Sequence, residues 1–405
     1  MKHLASRQRL LTFSQAEELE QSTGDHADRP SFSKMDEELL KGDEDAVGFF
    51  SAMLTTISLF SYSLDIASSA VLCYWLFNTG RWWWWLSIAS LLCALLIVNI
   101  FSMRWYIHDA QEDKAHVLKV STSHWVMRVL FHIVLLGPII RYLELFLYGL
   151  HSCDRNDPKR YQYRLMFLQE DRDTSLLALV GSFVKSAPQL VLHTYILTQN
   201  KFPINLPTTR AQAVNLIAAL IELSLAQSSY HRALRRSIPT KRNISKSGAT
   251  VQFLSHLCVI ASRVLSLAVF ASLYAHWVFV FCAIHWGLMT AWLIFQRTSF
   301  CASASGQPRP LEELIFNIVI GVIYLFCFVN VKDEPTRWKY TIYYIIIWIE
   351  NVTLVTLWYL RADPDLWFRI PLLSSVVSSL AAGLLLLIIY YMFLHPNKLV
   401  TPIAV

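Results

Sequence analysis

His124–Leu150 reads HWVMRVLFHIVLLGPIIRYLELFLYGL. By length it is able to cross a bilayer, since about 20 mostly apolar residues suffice. Gly137-Pro138 interrupts it near the middle, and Arg141 and Glu144 follow closely. Proline removes a backbone donor and clashes with the preceding turn, while glycine admits backbone angles that other residues avoid. The pattern predicts a re-entrant hairpin that enters and leaves on one side, with Gly137 and Pro138 at its turn. A kinked spanning helix is the competing reading. Non-helical backbone at such depth is tolerated only where protein or water surrounds it.

The loops decide between the two. Cys153–Arg172 carries Arg155, Lys159, Arg160 and Arg164; His231–Lys246 carries Arg232, Arg235, Arg236, Lys241, Arg242 and Lys246. Positive loops stay in the cytosol. If His124–Leu150 and Leu311–Val331, the latter marked by Gly321, are both re-entrant, every strongly basic loop falls on one side. If both span, Cys153–Arg172 is translocated. The charges therefore favour hairpins, with Gly321 at the second turn.

Further apolar runs are Phe49–Phe77, Trp82–Ile107, Thr174–Leu197, Ala211–Tyr230, Thr250–Tyr274, Trp277–Phe295, Tyr340–Leu360 and Ile370–Leu394. Trp82 to Trp85 sit where an interfacial aromatic belt belongs. The expected fold is all-α: a polytopic membrane helix bundle with about eight spanning helices and two re-entrant segments. Each half has two spans, a re-entrant segment and two more spans, so the halves are pseudo-equivalent and parallel. Proteins that move solutes often place their path between such repeats. The expected organisation is a cytosolic tail at 1–48, a first membrane repeat at 49–230, a basic cytosolic linker at 231–249, a second repeat at 250–394 and a short cytosolic tail at 395–405. Both termini are expected in the cytosol.

Composition agrees. Of 405 residues, 55% are apolar and 16% are charged, against about 25% charged in an ordinary soluble domain. The net charge of +6 resides in short loops, so no nucleic-acid partner is expected. The seven cysteines show no paired close spacing, which predicts neither a disulfide framework nor a metal site. The polar segment before Phe49 is no signal peptide, so the first apolar helix serves as its own insertion signal.

Asp65, Lys185, Glu222, Arg263 and Glu350 fall within the apolar runs. Each costs at least ~2.5–3.5 kcal/mol at the centre of a lone helix, so partners are required. Asp65 and Arg263 occupy matching positions in the two halves with opposite sign, as do Lys185 and Glu350. Lys185 also faces Glu222 on the next helix, and Gln189 shares its face at i, i+4 spacing. Asn99, His193 and Asn351 add polar groups at depth. One reading makes these structural ion pairs that lock helices together. The other makes Asp65, Lys185, Gln189, Glu222, Arg263, Glu350 and Asn351 a polar track along which a lipid head group rides while its tails remain in the bilayer. Such a seam lowers the desolvation barrier without ATP. The chain has no G-x-x-x-x-G-K-[ST] loop and no H-E-x-x-H, so no cofactor is expected, and the protein is expected to translocate lipid passively rather than act as an enzyme.

Ser186-Ala-Pro-Gln-Leu190, Tyr230-His-Arg-Ala-Leu234, Ser262-Arg-Val-Leu265 and the Tyr390-Tyr391 to His395-Pro-Asn397 run resemble the XK-related family in order and spacing, from Phe49 to Lys398. The resemblance implies eight spans, two re-entrant segments and two similar halves. It implies phospholipid scrambling at the plasma membrane that exposes phosphatidylserine on dying cells, switched in some members by caspase removal of a cytosolic tail. It also implies the alternative of a non-scrambling adaptor for a single-pass membrane or lipid-transfer partner, with the basic loops as docking surface. Lys185, Ser69 and Ser229 stand where scrambling members tend to carry acids. A solute transporter is a third reading.

The N-terminal tail offers Asp25-His-Ala-Asp28 and Asp43-Glu-Asp45-Ala46. Caspases cut after Asp, favouring a small residue next, so Asp45 is the stronger candidate and Asp28 the weaker. Ordinary acidic tail composition is the competing explanation. Asn243-Ile-Ser245 and Asn351-Val-Thr353 match the glycosylation pattern but lie in a cytosolic loop and in the membrane.

Overall fold

The computed structural model describes residues 49–78, 83–111, 120–154, 156–199, 207–237, 243–296, 301, 309–330 and 337–396. Asp28 and Asp45 lie outside them. The elements in order are α1 (Phe49–Asn78), α2 (Trp84–Gln111), α3 (Thr122–Ile133), α4 (Gly137–Cys153), α5 (Arg160–Gln199), α6 (Pro207–Arg236), α7 (Lys246–Leu273), α8 (Ala275–Phe295), α9 (Pro310–Tyr324), α10 (Arg337–Arg361) and α11 (Arg369–Ile389), ending in a π-helical turn, Tyr390–Leu394. The described fold is an all-helical membrane bundle.

Among the described residues, seven helices are long and apolar enough to cross a membrane: α1, α2, α5, α7, α8, α10 and α11. The expected span at Ala211–Tyr230 lies in α6. That helix has 30 residues, ample length at 1.5 Å per residue, but Gln212, Asn215, Glu222 and Gln227 make it too polar to join the seven. Another correction concerns Cys153–Arg172. It is mostly helix, because α5 starts at Arg160 and runs for 40 residues, about 60 Å. Arg164 and Arg172 are buried on it.

The short helices explain the re-entrant geometry. With 12, 17 and 15 residues, α3, α4 and α9 reach about 18, 25 and 22 Å, all short of the ~30 Å hydrocarbon core. Between α3 and α4 the chain turns at Val134–Leu136, where Leu135 has φ 61°. The Arg128 guanidinium on α3 grips both oxygens of Glu144 on α4, at 2.6 and 2.8 Å. In one straight helix these residues lie about 24 Å apart, so the two helices fold back on each other. Gly137 opens α4 immediately after the turn, and a Cβ there meets Asn99 Oδ1 and His132 Nε2 at 2.6 Å.

The second break is not where its glycine suggested. Gly321 is inside α9, and the helix ends at Tyr324, giving way to non-helical backbone through Asn330. Gly321 instead lets α9 approach α8, since a Cβ there collides with Thr290 Oγ1 and lies 3.2 Å from Trp286.

Two helices form the centre. In α5 and α7, 72% and 67% of the most apolar window is buried, against 12% in α1. α5 packs on α2, α4, α6, α7 and α9; α7 packs on α5, α6, α8, α10 and α11. Their shared core includes Leu176, Val180, Phe183, Ile260, Val264 and Leu267. α1 leans on α2 and α4, and α6 on α5 and α7.

Candidate functional site

Between α1 and α6, with α5 as floor, lies a cavity of about 280 Å³. Helical spacing explains its lining. Ser186, Gln189 and His193 recur at i, i+3 and i+7 on α5, while Glu222 and Asn215 share a face of α6 and Asp65 and Ser69 a face of α1. The floor is buried, whereas Leu64 on the α1 rim is 58% exposed. Flanking Val214 and Ile217 on α6 are also exposed. The cleft thus opens toward the face that bears bare aliphatic side chains, which in a membrane protein is the lipid side.

Asp65, which lines the cleft, is ion-paired with the buried Lys185 of α5. The expected partners, Glu222 or Glu350, are not the ones it pairs with. Glu222 instead accepts hydrogen bonds from Ser182 at 2.8 Å and Ser186 at 3.3 Å, although its charge still reaches Lys185. Gln189 donates to the Ser87 carbonyl at 3.1 Å and to Ser90 at 3.2 Å, and accepts from Ser69 at 3.3 Å. These bonds pin the floor to α1 and α2. His193 is 5% exposed, lines the cavity and has no protein hydrogen-bond partner on either ring nitrogen.

Arg263, Glu350 and Asn351 do not line this cleft; they form a separate cluster. Arg263 is fully buried, forms an ion pair with Glu350 at 2.7 Å, and donates to Asn351 and to the Leu325 carbonyl, each at 2.9 Å. His285 sits 2.8 Å from Glu350 and 3.1 Å from the Tyr324 carbonyl. Tyr343 also donates to the Tyr324 carbonyl, and Gln227 to that of Phe328. These groups satisfy the carbonyls released where α9 ends, which hydrocarbon cannot do. The expected single track is therefore two sites: an open cleft in the first half and a closed polar plug in the second.

The two ion pairs share one arrangement with the signs exchanged. The first helix of each half contributes Asp65 or Arg263; the first long helix after the re-entrant segment contributes Lys185 or Glu350.

A third cluster escaped the sequence reading. The Tyr106 ring lies between the guanidinium groups of Arg128 and Arg141, each 3.9 Å from its centre, and its hydroxyl donates to Glu144 at 3.0 Å. Arg141 bonds Glu170 at 2.6 Å and Ser102 through both side chain and carbonyl. Asn99 bridges the hairpin turn, donating to the Leu135 carbonyl at 3.0 Å and accepting from the Gly137 amide at 2.8 Å. Arg128 was the available signal: a base inside an apolar run requires an acid, and Arg128 and Glu144 lie eight residues either side of Leu136, beside the Gly-Pro break.

A helical bundle with paired charges inside its apolar helices and a polar cleft flanked by exposed aliphatic side chains defines a class of polytopic membrane proteins. The comparisons narrow the class. The XK-related protein family model matches residues 53–396. The chain is also 30% identical over 360 residues to XK-related protein 9 of Tetraodon nigroviridis, covering 85% of this chain and 90% of that protein. It belongs to the XK-related family.

Proposed function

We propose that this protein is an ATP-independent phospholipid scramblase of the plasma membrane that exposes phosphatidylserine during apoptosis, with both termini cytosolic and its N-terminal tail removed by a caspase after Asp45 or Asp28. The observation that carries the reading is the cleft. Charged and amide side chains from three helices are held where a lipid tail can remain outside and a head group can enter. For a polar group in hydrocarbon the barrier is desolvation, and Asp65, Gln189, Glu222 and His193 offer replacement partners around the cleft. Nothing in that process forms or breaks a covalent bond.

The test is reconstitution into vesicles containing an acyl-labelled fluorescent phospholipid, with and without caspase treatment. The reading expects an impermeant quencher to reach both leaflets' label in protein-containing vesicles only. Protection of the inner-leaflet label in every preparation counts against it.

A further inference from the structure

The charge balance of the cleft points to the chemistry of its occupant. Two acids, Asp65 and Glu222, line the cleft, and one base, Lys185, stands behind the lining. It is 5% exposed and committed to Asp65. Glu222 is more open and receives two neutral serine hydroxyls, which leave part of a carboxylate's roughly four acceptor positions unused. With His193 neutral the lining carries an excess negative charge. A cation is the complementary guest, and an anionic guest with no cationic group is repelled.

A neighbouring set of groups suits the other end of a zwitterion. His193, whose ring nitrogens are buried and have no hydrogen-bond partner, lines the same cavity, and Gln212 and Asn215 line its α6 wall. Along α5, His193 lies two turns beyond Lys185, about 12 Å. A neutral imidazole and two amides can donate hydrogen bonds to a phosphate without bringing a competing positive charge.

We infer that the cleft is a receptor for ammonium-bearing head groups: Glu222 takes the ammonium, and His193 with Asn215 takes the phosphate. This rests on the scramblase reading for its lipid source, because a soluble amine carries the same cation. Phosphatidylserine, phosphatidylethanolamine and phosphatidylcholine meet the requirement; phosphatidylglycerol does not.

The full-length protein in detergent is titrated calorimetrically with dihexanoyl-phosphatidylcholine, dihexanoyl-phosphatidylglycerol and free choline. The choline lipid is expected to bind about tenfold more tightly than the glycerol lipid, a modest value for one partly buried charge contact. Glu222→Gln, which keeps an acceptor for the serines, brings the two within about twofold, while His193→Ala weakens both alike. Equal binding of the two lipids by the unaltered protein overturns the inference without any variant having to fold. So does an undiminished preference in a folded Glu222→Gln protein. Binding of free choline as tight as that of the lipid removes the lipid source; its failure to compete supports it. Selective binding without transfer in vesicles sinks the scramblase reading and leaves ammonium recognition standing. Transfer at equal rates for both lipids, with equal binding, does the reverse.

Discussion

Lys185 shows how a single side chain is read well in kind and wrongly in partner. Its depth in an apolar run demanded an acid, and two were within reach by helix register. The fold selects Asp65, because α1 crosses the floor helix at that level. Asp65→Asn leaves a buried ammonium without its counter-charge and is expected to lower stability by about 3 kcal/mol. Adding Lys185→Met removes the orphan and recovers most of that loss. A double-mutant cycle on thermal unfolding in detergent measures the coupling; additive losses would show that the pair does not stabilise the fold. Asn99 makes a second case at this scale. It holds both a carbonyl and an amide at the hairpin turn, so Asn99→Leu is expected to cost about 2 kcal/mol or more, read as a lowered unfolding midpoint. Depth, sign and cost were legible in the sequence; pairing was not, since it depends on which helices cross.

The two re-entrant elements show what local signals can and cannot reveal. In the first, a Gly-Pro break stands beside the turn, so the chain announces its own interruption. In the second, α9 ends at Tyr324 with no glycine or proline to mark it. The break is supported from a distance by Arg263, His285, Gln227 and Tyr343. No window of sequence around Leu325 contains that information. Gly321 misled because small residues serve close packing as well as turns. Gly321→Ala is therefore expected to destabilise the protein by about 1–3 kcal/mol through overpacking. Thr290→Ala, which removes the colliding hydroxyl, is expected to restore it. Size-exclusion profiles after heating read both effects, and a Gly321→Ala protein as stable as wild type would contradict the tight α8–α9 approach.

Across the whole molecule the halves share an element order and divide the labour. The open cleft belongs to the first half; its Asp65, Gln189, Glu222 and His193 were visible as polar groups out of place among apolar neighbours, while Gln212 and Asn215 come from the fold alone. The second half's charges were equally visible, but only the fold shows them closed around a helix end. Glu350→Gln is therefore expected to lower stability while leaving the transfer rate per folded molecule within about twofold; Glu222→Gln is expected to do the opposite. Parallel unfolding and vesicle assays separate the two. The adaptor alternative is also sharpened. Arg235 holds the Pro396 carbonyl and Arg236 pairs with Asp171, so neutralising them disturbs the fold itself. Finally, the ion pairs Asp65–Lys185, Arg128–Glu144, Arg141–Glu170 and Arg263–Glu350 each close within one half, while Arg104–Glu312, which crosses between halves, is exposed. During synthesis, the first six helices can thus leave the translocon with their three pairs, Asp65–Lys185, Arg128–Glu144 and Arg141–Glu170, already matched, before the ribosome has made the seventh. A polypeptide severed between Arg236 and Lys246 should on the same grounds reassemble from two separately translated fragments.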